Sequence, residues 1–106
     1  MTIPQISVFL ENKAGQLADI TGILSENRVN MRAINIAETA DYGVLRLIVD
    51  DASKASAILL EQGFILTMTP VVGVAVPDTP GGLSKVLGVI SAADIDVEYM
   101  YSVFGQ

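Results

Sequence analysis

The stretch NKAGQL, residues 12–17, decides how this chain is read. Before it, residues 4–11 (PQISVFLE) alternate, with Ile6, Val8 and Leu10 on one face and Ser7 and Phe9 on the other. That period of two predicts a half-buried strand. After it the apolar spacing changes to Leu17, Ile20, Ile23 and Leu24, one face of a helix ending near Asn27 and Asn30. NKAGQL is therefore a polar, glycine-bearing turn from strand to helix. Sixty-six residues on, DTPGGL (78–83) stands in the same setting.

Outward from the first turn, MRAINIAE (31–38) alternates, with Met31, Ala33 and Asn35 on one side and Ile34 and Ile36 on the other. ADYG (40–43) is a turn signal and VLRLIVD (44–50) the next strand, so the two form a hairpin. Asp50-Asp51 suits a helix N-terminus, Ala55, Ile58, Leu59 and Gln62 make its stripe, and Gly63 stops it. FILTM (64–68) is a fourth strand. The order β-α-β-β-α-β predicts an α+β, ferredoxin-like sandwich: an antiparallel sheet with both helices on one face. Pro70 then separates FILTM from a further strand, VVGVAV (71–76). A helix over 81–94 and a strand over 96–104 (DVEYMYSVF) follow.

Shifted by 66, the chain overlays on itself without a gap. Ile6, Val8 and Leu10 meet Val72, Val74 and Val76; Gly15 meets Gly81; Leu17, Ile20 and Leu24 meet Leu83, Val86 and Ile90; Gly22 meets Gly88; Asn30 meets Asp96. The expected division is a first domain over 1–69 and the first β-α-β half of a second over 70–106. The hairpin partner, second helix and last strand of the second copy do not follow Phe104. A shortened form of a longer chain, or a covering subunit, is expected, because bare apolar faces and sheet edges are liabilities.

Composition removes most chemistry. There is no His and no Cys among 106 residues, which excludes a Ser-His-Asp triad, a cysteine nucleophile, disulfides and the usual zinc sites. Net charge is −6, and the six Lys/Arg are dispersed, so a polyanion partner such as nucleic acid is not expected. The half-hydrophobic composition and mean hydropathy of +0.52 point to burial beyond one chain's own core. No apolar run reaches the ~18–20 residues of a membrane span. MTIPQIS has no basic region of a signal peptide, so a cytoplasmic location is expected.

These residues resemble the ACT domain family, small ligand-sensing domains of amino-acid metabolism. The likeness covers 4–68 as a full domain and 70–104 as half of another. It is carried by ISVFLEN, NKAGQL, ADITGILSENRVN and MRAINIAE, and by DTPGGL, which matches the family's D-x-P-G-x-L turn. NKAGQL departs from it, with Asn12 for Asp and Ala14 for Pro. The resemblance implies a non-catalytic regulatory module without cofactor or metal, paired through sheet edges as a dimer or higher oligomer. It implies an amino acid as ligand at the junction of paired domains and a regulated enzyme as partner.

Physically, such a turn frees backbone N–H groups at the positive end of a helix and suits a carboxylate. Gly15, Gln16 and Leu17 would offer amides in one copy, Gly81, Gly82 and Leu83 in the other. Asn12 or Asp78, and Asn30 or Asp96 at the next strand entry, are acceptors for an ammonium. Ala14, Pro80, Met31 and Val97 complete the candidate set. Turn and strand entry lie at opposite ends of a helix, so a pocket needs two copies. Plainer roles stand beside these: helix capping for Asn12 and Asp78, close helix packing for Gly22 and Gly88, solvation for Lys13, and sheet packing for Tyr99, Met100 and Tyr101.

Other functions on this topology lack their residues. Acylphosphatases use an Arg in the turn, and residues 11–17 contain none. Metal-carrying relatives use a Cys pair. RNA-recognition modules stack bases on aromatics of the central strands, which are expected to be 31–36 and 44–49 and carry none. The remaining alternative is a ligand-free interaction module that regulates an enzyme of amino-acid metabolism in trans.

Overall fold

The computed structural model describes residues 1–11, 15–38 and 42–103. The elements are β1 (Thr2–Glu11), α1 (Gln16–Glu26), β2 (Met31–Glu38), β3 (Tyr42–Val49), α2 (Ala52–Glu61), β4 (Ile65–Val72) and α3 (Gly82–Ala92). The four strands form one antiparallel sheet in the order β2-β3-β1-β4, the expected ferredoxin-like arrangement. Alternation in β1 sends Ile6 and Val8 to the helix side, where Ile20 and Leu24 of α1, Ala55 and Leu59 of α2, and Leu45 and Leu47 of β3 enclose them. Asp51 caps α2 by accepting from the Lys54 N–H at 3.1 Å. Gly63 follows that helix in the left-handed conformation, φ 91°.

Several expectations are corrected. Pro70 does not end a strand. β4 runs through it to Val72 and pairs with β1 down to Thr2, with Pro70 opposite Pro4. Proline is tolerated there because β4 lies at the sheet edge, and Pro4 lies beyond the part of β1 that β3 covers, which starts at Ile6. Of the separate strand expected over 71–76 only Val71 and Val72 are taken, into β4, and 73–77 joins no ladder. Nor does 95–103, where a strand was expected. The central strands are β1 and β3; β2 is an edge. Met31 also changes sides. Met31 pairs with Val49 and Ala33 with Ile48, so a bulge inserts Arg32. The extra residue turns Met31 toward the core, away from Ala33 and Asn35. Residues 39–41 of the hairpin turn lie outside the described residues.

The 66-residue repeat is present in the backbone itself. Gly15 and Gly81 precede α1 and α3 with φ 85° and 87°. Each accepts the first helical bond, from Asp19 at 2.9 Å and Lys85 at 3.0 Å. At the other ends Arg28 and Asp94 both adopt left-handed φ, 59° and 58°. Val29 donates to Leu24 O and Ile95 to Ile90 O. What differs is burial. Ile20, Leu24 and Val29 are buried, whereas α3 has no buried residue and packs on no other helix or strand among the described residues. The same local code therefore folds one helix into a core and leaves the other with Val86, Leu87 and Ile90 only partly covered and Leu83 exposed.

That difference sets unequal costs for truncating an apolar side chain in the two copies. Ile20→Ala should lower stability by about 2–5 kcal/mol, the range for emptying a core site. Ile95→Ala, at a residue 60% exposed, should change it by no more than about 0.5 kcal/mol. Urea denaturation followed by circular dichroism checks both.

Candidate functional site

Each strand-to-helix turn is built on its glycine. Gly15 and Gly81 hold the N-cap positions in the left-handed conformation, which a side chain resists. Among the described residues no side chain caps either helix. The capping role expected of Asp78 is therefore absent, and Asp78 and Pro80 are exposed in the turn ahead of α3. Asn12, Lys13 and Ala14 lie outside the described residues. Gly82 is required for a second reason: a Cβ there would sit 2.5 Å from the Pro77 carbonyl oxygen. Its N–H donates to Thr79 O at 3.1 Å. The amides of Leu83 and Ser84 come before the first helical bond and face the open end of the helix.

In the first turn, Leu17 packs against the core while Gln16 presents a polar anomaly. Its Oε1 is buried and has no hydrogen-bond partner among the described residues. A buried acceptor without a donor costs about 1–3 kcal/mol. In a turn already carrying free helix amides, it is a ready acceptor for an ammonium or hydroxyl.

The strand entries lie elsewhere. An 11-residue helix separates each from its turn, about 16 Å at 1.5 Å per residue. Neither unit brings its turn and strand entry together. Asn30 is exposed, and its backbone is occupied: its N–H donates to Asp50 Oδ1 and its carbonyl accepts from the Asp50 N–H, both at 3.1 Å. Met31 belongs to the core margin. Asp96 and Val97 line a cleft at the C-terminal end of α3 with Leu87, Ile90, Ser91, Asp94 and Ile95. It occupies the place where the first unit buries Leu24 and Val29. Gly22 and Gly88 are exposed and a Cβ on either would meet nothing within 4 Å, so close helix packing does not explain them.

One polar cluster escaped the sequence reading. Gln5 is 0% exposed although it lies on the sheet face away from α1 and α2. Its Nε2 donates to Ser7 Oγ at 3.2 Å and to the Tyr99 hydroxyl at 3.0 Å, and its Oε1 accepts from the Tyr101 hydroxyl. The two tyrosine rings stack with centroids 6.4 Å apart. Arg46 lies over the Tyr99 ring at 3.9 Å and donates to Asn35 Oδ1 at 3.1 Å. Burial pushes the Tyr101 hydroxyl above the ordinary tyrosine range; Tyr99 adds to this and Arg46 opposes it. The only sequence signal was alternation, which places Tyr99 and Tyr101 on one face and Gln5 with Ser7 on another; nothing in it says these faces meet.

The family model for an ACT domain pair matches residues 1–105. A crystal structure from Bacteroides thetaiotaomicron is 46% identical, with TM-score 0.91, over all of this chain and 73% of that one. The regulatory subunit of aspartate kinase from Thermus thermophilus is 18% identical, with TM-score 0.67, over 93% of this chain and 75% of that one. A protein of unknown function from Galdieria sulphuraria is 17% identical, with TM-score 0.56, over 87% and 65%. At those two identities the likeness is one of fold. No curated protein matches by sequence.

Two measurements follow from this geometry. Gly15→Ala should cost about 1–2 kcal/mol in urea denaturation, since left-handed φ penalises a Cβ by that amount even in open space. Stability should also fall above pH ~10. The folded state keeps the Tyr101 proton that the unfolded chain releases near pH 10, so the contribution is complete below that pH and is lost as pH rises through the raised pKa. Tyr101→Phe should remove that part of the alkaline slope.

Proposed function

The chain belongs to the ACT domain family, and from that premise we propose a non-catalytic regulatory module that binds an amino acid between paired ACT domains. ACT domains are regulatory modules, and the Thermus thermophilus neighbour is by name the regulatory subunit of aspartate kinase. The observation that carries the ligand reading is the duplicated turn, with Gly15 and Gly81 in one conformation and the buried acceptor Gln16 Oε1 beside the first. The ligand's carboxylate meets amides of Gly15, Gln16 and Leu17, or of Gly81, Gly82 and Leu83. Its ammonium is met by Asn12, Asn30, Asp78 or Asp96 of the copy across the junction. Ala14, Met31, Pro80 and Val97 shape the walls.

Pairing supplies what one unit lacks, because turn and strand entry are a helix length apart. The β2 edge supports it: Ile34 and Ile36 are 48% and 45% exposed on the face that otherwise meets the helices. We propose at least a dimer joined through such edges, acting in the cytoplasm on an enzyme of amino-acid metabolism. No helix among the described residues is long and apolar enough to cross a membrane. A second reading, an interaction module without a ligand, is favoured by one observation: α3 fully buries no residue and leaves Leu83 and Val89 exposed.

A thermal-shift screen against the twenty amino acids separates the two. A ligand at about ten times its Kd adds roughly 1.4 kcal/mol. For so small a domain that raises Tm by about 6–11 °C. Gly81→Val should abolish a response that uses the second turn. Silence across the panel at millimolar concentrations defeats the sensor and leaves the interaction module.

A further inference from the structure

The segment 95–103 is held to the rest of the chain in an unusual way. It joins no strand ladder, so backbone pairing does not fix its position. The long-range hydrogen bonds that reach it come from side chains and converge on Gln5, in the middle of β1. A carboxamide has one accepting and one donating end. Here Oε1 takes the Tyr101 hydroxyl, and the two Nε2 hydrogens go to Tyr99 and Ser7. Tyr99 and Tyr101 stand two residues apart in extended chain, so both rings reach the same surface. β3 contributes Arg46 across the Tyr99 ring, and β2 steadies that guanidinium through Asn35. Three strands of the first unit thus seat one segment of the second.

We propose that Gln5 is a positioning residue that locks segment 95–103 onto the first unit's sheet and sets where Asp96 and Val97 stand. The part that concerns ligand control rests on the site reading proposed above; the lock itself does not. Asp96 and Val97 are two to five residues from the locked tyrosines, within one extended stretch. A ligand engaging them shifts, or is shifted by, the seating of Tyr99 and Tyr101. Binding at the second unit and the packing of β1 are then coupled, and the coupling runs both ways. A buried amide with every polar atom matched suits this task, because partial release leaves unpaired groups and is disfavoured.

The test uses the whole chain and chymotrypsin, which cuts after the tyrosines of the segment. Gln5→Met keeps side-chain length and removes both polar ends. Tyr101→Phe and Tyr99→Phe break the lock without touching β1, and carry the test should Gln5→Met not fold. Cleavage within 99–101 is expected to run about tenfold faster in these variants than in wild type. In Gln5→Met, which keeps every tyrosine, the near-ultraviolet circular dichroism of the stacked rings should fall, while far-ultraviolet helix signal is unchanged. Wild-type cleavage rates in the variants, with an unchanged tyrosine signal in Gln5→Met, overturn the lock. An amino acid that stabilises the wild type should slow the same cleavage by about fivefold. A bound amino acid that leaves cleavage unaltered overturns the coupling, whereas failure of every amino acid to bind overturns the site reading and leaves the lock standing.

Discussion

Everything in this molecule depends on β1 being used on both faces. On one face Ile6 and Val8 sit fully buried under α1 and α2. On the other, Gln5 sits equally buried under two tyrosines from nearly a hundred residues away. Its two edges are taken by β3 and β4. A strand enclosed on four sides must satisfy the hydrophobic effect on one face and hydrogen bonding on the other. The residues it carries, apolar at 6, 8 and 10 and amide and hydroxyl at 5 and 7, meet both demands.

Much of the first unit was legible because its signals are local. Period-two runs, the glycine turn, the Asp51 cap and the Gly63 stop each act within a few residues, and the structure keeps them. The repeat was legible for the same reason: turns and helix ends depend on short-range bonds, and these recur at Gly15 and Gly81, Arg28 and Asp94. Misread features depend on neighbours. Pro70 breaks a strand only when its missing N–H is needed, and at an edge opposite Pro4 it is not. The bulge at Arg32 comes from fitting β2 to β3, which alternation in β2 alone cannot show. Residues 73–77 and 95–103 have strand-like sequences but no ladder to join.

The candidate site is legible as a motif and not as a pocket. The turns announce themselves through glycine and an acidic or amide residue. What they combine with is decided by packing between units and chains. The second unit makes this plain, since its helix has the first unit's stripe and caps but no fully buried residue. Local rules shaped α3, and only a complementary surface gives it a core.

The central place of β1 has a further consequence, for synthesis. Of the four strands, the first to be made is the one whose second partner, β4, is made last. β1 ends at Glu11, β3 at Val49 and β4 at Val72, so one edge of β1 stays open while about forty more residues are made and the other while about sixty are. Its pairings span the length of the first unit, and such topologies fold slowly and expose strand edges meanwhile. The arrangement that lets one strand organise both units in the native state is thus also the one that leaves the nascent chain longest without shelter.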